Sequence, residues 1–290
     1  NSGTLTDFYS NGFKVDGNGI VGSSTDPYVS WTFKKEPSFF DIVTYTGNGV
    51  ARTISHNLGS EVGTLIIKRL GNVSGWSVYH RSTGATSALE LNSTGAVSSG
   101  DGTWNSTAPT TTEFSINSYD SVNSNGDTYV AYLFAHDDAA DGLIQCGSYT
   151  GNGSTNGPEI DLGWQPQWLL IKGASGGNDW NLLDNKRGTI NKHLYANDNS
   201  IEYDTNAIEA TNTGFKLVQS YGAWNASGDT YIYVAIRAAS DLDITWPSSI
   251  EWASGSAPSA PATGETDVFT LSTDDGGTTY TGIKSIDNAS

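Results

Sequence analysis

The sequence predicts an all-β protein built of tandem β-sandwich (jelly-roll-like) repeats and closed by a C-terminal β-hairpin tail. Three observations carry that prediction. Short stretches rich in β-branched and aromatic residues recur between clusters of Gly, Asn and Ser. No stretch of helical period is long enough to matter. The chain also repeats itself at long range: the shift that sets Tyr45-Thr46-Gly47-Asn48-Gly49 on Tyr149-Thr150-Gly151-Asn152-Gly153 brings Leu65-Ile66-Ile67-Lys68 onto Leu169-Leu170-Ile171-Lys172. It also sets Trp76 on Trp180 and Gly84 on Gly188. Further along the register slips by a few residues, as a loop deletion would make it, and Gly126-Asp127-Thr128-Tyr129 meets Gly228-Asp229-Thr230-Tyr231.

The elements follow in chain order. Residues 1–36 read as the last hairpin of a preceding unit, because Gly12-Phe13-Lys14-Val15 matches Gly214-Phe215-Lys216-Leu217 and Tyr28-Val29-Ser30-Trp31 matches Tyr129-Val130-Ala131-Tyr132. The first full repeat is 38–137, with strands predicted at Phe39 to Tyr45, Gly63 to Leu70, Gly75 to His80, Thr112 to Asn117 and Asp127 to Ala135. In the last of these, Tyr129, Ala131, Leu133 and Ala135 oppose Val130, Tyr132 and Phe134. Both faces are apolar, so this strand is predicted to be central. The second repeat is 142–238, where Tyr231 to Ile236 has the same character. The linkers are short, so the repeats should stack with little freedom. Residues 241–290 form a Pro-rich arm, then an alternating stretch Thr266 to Ser272, a turn at Asp274-Asp275-Gly276-Gly277 and a return from Thr278 to Ile283.

Composition narrows the function. The 290 residues carry 14 Lys+Arg against 31 Asp+Glu, a net charge of −17, which repels phosphate backbones and anionic headgroups. Neither nucleic-acid binding nor membrane insertion is expected. Disorder is not expected either, since 9 Trp, 14 Tyr and 9 Phe supply large apolar bodies. Cys146 is the single cysteine, which excludes an intrachain disulfide and a cysteine-built zinc site.

Catalytic motifs are missing. His56, His80, His136 and His193 stand in no nucleophile or metal pattern, no Gly-x-Ser-x-Gly elbow exists, and His80 aligns with Asp184 of the other repeat. Two carboxylates in a cleft would suffice for a glycosidase, but 31 acids meet that condition too easily. Asp16-Gly17-Asn18-Gly19 and Asp198-Asn199 are oxygen-rich without the ligand spacing of a calcium loop. No catalytic residue, metal or cofactor is therefore expected. Tryptophans are the type worth sorting, because indole faces hold sugar rings. Trp76 and Trp180 match and predict a shared core role. Trp104, Trp164 and Trp224 have no tryptophan at the equivalent position and are flanked by Asn or Gly, which makes them the candidate ligand-binding loop aromatics.

The pattern Tyr149-Thr150-Gly151-Asn152-Gly153, Trp168-Leu169-Leu170-Ile171-Lys172, Trp180, Asp184-Asn185-Lys186-Arg187, Gly214-Phe215-Lys216 and Ser227-Gly228-Asp229-Thr230-Tyr231 resembles repeat domains in virion structural proteins of marine tailed phages, cyanophages among them. Trp76-Ser77-Val78-Tyr79-His80 and Trp104-Asn105-Ser106 look like the sister repeat, and the tail is similar to segments that close phage tail fibres. The resemblance implies a non-enzymatic fibre or appendage subunit at the virion surface, active in host attachment or particle decoration. Its expected partners are further copies of itself (a trimer being the commonest fibre symmetry), other virion proteins and a host surface glycan. A secreted carbohydrate-binding module, a glycan hydrolase and a bacterial surface-filament subunit stay open as alternatives.

Overall fold

Alternation along the strands sets the architecture, and it is all-β. The computed structural model describes residues 5–9, 12–15, 21, 27–139 and 141–238, together with the backbone of 250–252, 266–272 and 280–289. Two compact units result, Asn1–Lys34 and Lys35–Ser290. In the first, β1 (Leu5–Tyr9) pairs antiparallel with β2 (Gly12–Val15). The stretch Tyr28 to Trp31 carries no strand, although the segments it matches in the repeats are central strands.

The second unit opens with β3 (Phe40–Thr46), β4 (Arg52–Ser55), β5 (Val62–Arg69), β6 (Trp76–His80), β7 (Ser87–Glu90), β8 (Ser98–Ser99), β9 (Glu113–Ile116), the single turn α1 (Asp120–Asn123) and β10 (Thr128–Ala135). The series returns, with one added strand, as β11 (Ile144–Thr150), β12 (Glu159–Asp161), β13 (Pro166–Gly173), β14 (Trp180–Asp184), β15 (Lys192–Tyr195), β16 (Tyr203–Asp204), the added β17 (Ile208–Thr211), β18 (Gly214–Leu217), α2 (Gly222–Asn225) and β19 (Thr230–Arg237). One six-stranded sheet runs β3-β10-β5-β6-β7-β8 and the other β11-β19-β13-β14-β15-β16. Place by place, the two orders correspond. A small sheet accompanies each: β4-β9 in the first repeat and β12-β18-β17 in the second.

The core of the second repeat lies between its two sheets. Tyr149, Leu169, Ile171, Tyr231, Tyr233 and Ala235 of the large sheet pack with Ile160, Phe215, Leu217 and Ile208 of the small one. These are alternate positions on their strands, as a one-faced core requires. Yet the opposite face is buried as well: Cys146, Leu170, Lys172, Trp180, Ile232, Val234 and Ile236 are all buried. In the first repeat the outward Thr64, Ile66, Val78 and His80 are equally enclosed. What closes these outward faces is the other repeat, because hydrogen bonds cross between them from His80, Trp180 and Lys172. The repeats thus lie within one compact unit rather than dividing between two.

Beyond the repeats, β20 (Ile250–Trp252) runs parallel to β22 (Tyr280–Ala289), and β21 (Thr266–Ser272) pairs antiparallel with it. The Pro-rich arm and the Asp274-Asp275-Gly276-Gly277 turn lie outside the described residues.

Candidate functional site

The repeated Tyr-Thr-Gly-Asn-Gly motif builds a clasp at one end of each large sheet. Tyr45 stacks on Tyr129 at 5.1 Å between ring centroids, and Tyr149 on Tyr231 at 5.0 Å. The hydroxyl of Tyr45 donates to the Val122 carbonyl at 2.6 Å, and that of Tyr149 to Trp224 at 2.8 Å. One buried asparagine per repeat then grips the motif. Asn123 Oδ1 accepts from the Asn48 amide at 3.0 Å, and Asn225 Oδ1 from the Asn152 amide at 2.8 Å. Glycine is obligatory at the crossing, since a Cβ on Gly47 would stand 2.1 Å from the Ser124 carbonyl oxygen and one on Gly151 2.2 Å from that of Ala226. The motif is therefore architectural, and its amides are already engaged by protein.

The structure corrects the expectation for the unmatched tryptophans. Trp104, Trp164 and Trp224 are 1%, 2% and 4% exposed, so none can stack on a surface ligand. Trp104 is turned inward by two consecutive left-handed residues, Asn105 (φ 52°) and Ser106 (φ 48°). It meets Tyr79 edge-on at 5.9 Å and donates its indole N–H to the Ser87 carbonyl at 3.0 Å. Trp164 belongs to the second repeat's core, and Trp224 sits in α2 edge-on to His193 at 5.7 Å. Trp76 and Trp180 do share a position, but it is on the outward face of the large sheet. Trp180 is buried there and Trp76 only half-buried.

A histidine, a cysteine and a lysine meet backbone groups at the join between the repeats. His80 Nε2 donates to the Tyr233 carbonyl at 3.1 Å while its Nδ1 accepts from the Ser82 amide at 3.2 Å. That pair of partners fits only the neutral ring, and burial pushes the imidazole down to about 4. His136 Nδ1 accepts from the backbone amide of Cys146, not from its thiol, so no cysteine–histidine dyad exists. The thiol is instead buried against Gly63 and donates to the Ala135 carbonyl at 3.5 Å. Burial pushes it up to about 12, which denies it the thiolate form that a nucleophile needs. Lys172, pulled down to about 8 by burial, donates to the carbonyl of Thr94 in the other repeat at 2.9 Å and to that of Asn178. Trp180 donates its indole N–H to the Glu90 carbonyl at 2.9 Å. A histidine, a cysteine and a lysine are thus all held in forms that join backbones. Replacing Lys172 by methionine keeps the volume but strands two carbonyls, and is expected to cost about 2 kcal/mol in chemical denaturation. An unchanged midpoint would show that the join does not depend on the ammonium.

Sequence patterns gave no sign of two surface clefts. One, of about 500 Å³, is lined by Ser77, Glu90, Ser93, Asp101, Thr103 and the exposed Tyr119. The other, of about 700 Å³, is lined by Lys68, Arg69, Leu70, Val73, Trp76 and Tyr132. In the latter the Lys68 ammonium lies 5.9 Å over the Trp76 ring. Of the oxygen-rich loops, Asp198 spends its carboxylate on the amide of Ser200 at 2.8 Å and on its hydroxyl, and residues 16–19 lie outside the described residues. Among the described residues no three His, Cys, Asp or Glu side chains come together as a metal site, and no helix is long and apolar enough to cross a membrane.

A family model described as a domain of unknown function, DUF7483, matches residues 1–239. The chain belongs to that family. The DUF7483 span takes in both repeats and stops where the second repeat ends. No curated protein matches the sequence. Among solved structures, the "Crystal Structure of the STIV MCP" is similar over 67% of this DUF7483 chain and 95% of that one, at 10% identity and a TM-score of 0.21, too low to equate the folds.

Proposed function

We propose that this DUF7483 chain is a non-enzymatic virion structural protein, a fibre or appendage subunit made of tandem jelly-roll-like β-sandwiches. It serves host attachment or particle decoration from an extracellular, virion-borne position, as a homo-oligomer in company with other virion proteins. One observation carries this reading: the same six-strand order is built twice and the two copies are fused through their outward faces, with His80, Cys146 and Lys172 consumed in the fusion. A chain that spends its reactive groups on joining modules is a scaffold. The sequence resemblance to phage appendage repeats points the same way. Light scattering on the native protein tests it: the expected result is an oligomer, and a strict monomer would count against a fibre.

A second reading has one specific observation in its favour. Glu90 and Asp101 line the same hydroxyl-rich cleft as the exposed ring of Tyr119, the composition of a sugar-binding surface. A host surface glycan would lie there, bound as by a carbohydrate-binding module or, if the two acids act in concert, cleaved as by a glycan hydrolase. Glycan-array binding lost in Tyr119→Ala is expected for the first. Turnover of a polysaccharide that disappears in both Glu90→Gln and Asp101→Asn would replace the scaffold reading with the second.

A further inference from the structure

The join between the repeats is made of two unlike parts. Repeat two supplies a socket: the Lys172 ammonium, the Trp180 indole N–H and the Ala174 carbonyl. Repeat one supplies a plug: the Glu90 and Thr94 carbonyls and the Val97 amide. Three hydrogen bonds connect them, Trp180 to Glu90 at 2.9 Å, Lys172 to Thr94 at 2.9 Å, and the Val97 amide to Ala174 at 2.8 Å.

Because the chain is a repeat, each part exists a second time. Lys68, Leu70 and Trp76 stand in repeat one where Lys172, Ala174 and Trp180 stand in repeat two, with strand β6 on β5 in the register of β14 on β13. The internal bond of the socket is kept as well, since Lys68 donates to the Ser74 carbonyl at 2.9 Å as Lys172 does to Asn178. The second bond of Lys172, the one to the plug, has no counterpart at Lys68 among the described residues. Trp76 and Lys68 remain half-buried, at one wall of the 700 Å³ cleft, whereas Trp180 and Lys172 are enclosed.

The plug is likewise present twice. The Leu91 amide donates to the Trp76 carbonyl and the Asn92 side chain accepts from the Trp76 amide; Ala196 and Asn197 do the same for Trp180. This register puts Tyr195, Asn199 and Glu202 where repeat one has Glu90, Thr94 and Val97. That second plug is solvent-exposed from 201 to 204 and at Asp198 and Asn199. Its acids Asp198, Glu202 and Asp204 make the segment opposite in sign to Lys68 of the socket, while within the chain Glu202 and Asp204 pair with Arg187 and Lys192, and Arg69 pairs with Asp127.

From this asymmetry we infer that the Lys68–Trp76 cleft of one chain receives the Tyr195–Glu202 segment of a second copy, repeating between chains the join already made within each. The contacts are then Trp76 to the Tyr195 carbonyl, Lys68 to the Asn199 carbonyl, and the Glu202 amide to the Leu70 carbonyl. Val73, the fully exposed residue on the rim, occupies the place of Gly177, beside the Thr94 carbonyl in the internal join. Its methyls bring apolar surface to where the plug sits. A contact between two different patches is heterologous, so it propagates head to tail and each chain end stays open to another copy.

This deepens the fibre reading by naming the surface of self-association. The test uses the full chain and two surface variants, Val73→Asp in the socket and Asp198→Lys with Asn199→Lys in the plug, followed by sedimentation velocity over a concentration series. The wild type is expected to form an open series of oligomers, and each variant to associate at least about tenfold more weakly. Mixed together, the two variants are expected to form one-to-one pairs and nothing larger, because each retains the half that the other lacks. Native-like circular dichroism of both variants guards against misfolding, and Lys68→Glu offers a second socket variant. An oligomer whose mass is untouched by all the variants overturns this inference and leaves the fibre reading standing. A mixture that forms no pairs overturns it too, and a wild type that stays monomeric overturns both.

Discussion

Replacing Asn225 by alanine is expected to cost about 3–5 kcal/mol, enough to unfold the second repeat under mild denaturant. Asn225 is fully buried at the end of α2, and its amide group holds four partners. Its Oδ1 accepts from the Asn152 amide at 2.8 Å. Its Nδ2 faces the Ser154 carbonyl at 2.8 Å, the Gln219 carbonyl at 3.0 Å and Asn152 Oδ1 at 3.0 Å. Alanine deletes these bonds at the buried Asn225 position, at a cost of about 1–3 kcal/mol for each group left unpartnered, although Asn152 and Ser154 are exposed and Asn152 Oδ1 keeps the Ser154 amide. Aspartate is no remedy, because it keeps the acceptor for Asn152 but turns an oxygen toward three oxygens. The first repeat supplies the control. Asn123 makes the equivalent bond to the Asn48 amide and one more, from Nδ2 to the Val50 carbonyl at 2.7 Å, so Asn123→Ala should cost less. Urea denaturation of both variants decides it: an Asn225→Ala protein within about 1 kcal/mol of wild type would mean that the clasp does not hold the repeat together.

That clasp shows how much of the fold is written in the sequence. The Tyr-Thr-Gly-Asn-Gly signature and the Gly-Asp-Thr-Tyr signature each fall at the end or start of an observed strand, because apolar alternation and glycine turns are local properties. Their joint purpose is not local. Tyr45 meets Val122, and Asn152 meets Asn225, across separations that only the closed fold brings together. The tryptophans fail for a related reason. Flanking Asn and Gly signal a turn, but whether an indole in that turn faces water depends on backbone handedness, as at Asn105 and Ser106, and on what lies beneath. Nor does a residue change between the repeats mark exposure, since Val122 stands where Trp224 does and both are buried. The double-sided burial of Tyr129 to Ala135 was legible as a central strand. What covers its second side was not, because the partner is the other repeat and the donors that seal the join, Lys172 and Trp180, read in sequence like any strand residues.

The same join should make the protein acid-sensitive. His80 is neutral in the folded chain, donating from Nε2 and accepting at Nδ1, so a second proton at Nδ1 would point at the Ser82 amide that it now accepts from. Burial accordingly pushes its pKa down to about 4 from the ordinary 6.5. Above about pH 6.5 folded and unfolded chains both carry neutral imidazole, and the group costs nothing. As the pH falls from there toward 4 the unfolded chain binds a proton that the folded chain refuses, so stability declines through that window and levels off below it. The expected loss from His80 between pH 7.5 and 4.5 is about 2–3 kcal/mol. His56, His136 and His193 are also lowered by burial and act in the same direction. Protonating His136 adds a local effect, because its Nδ1 then loses the Cys146 amide at the start of β11. Guanidinium titrations at the two pH values, on wild type and His80→Asn, separate the contributions. The variant should be weaker at neutral pH yet lose less stability on acidification, and an identical pH dependence in the two proteins would remove His80 as the source.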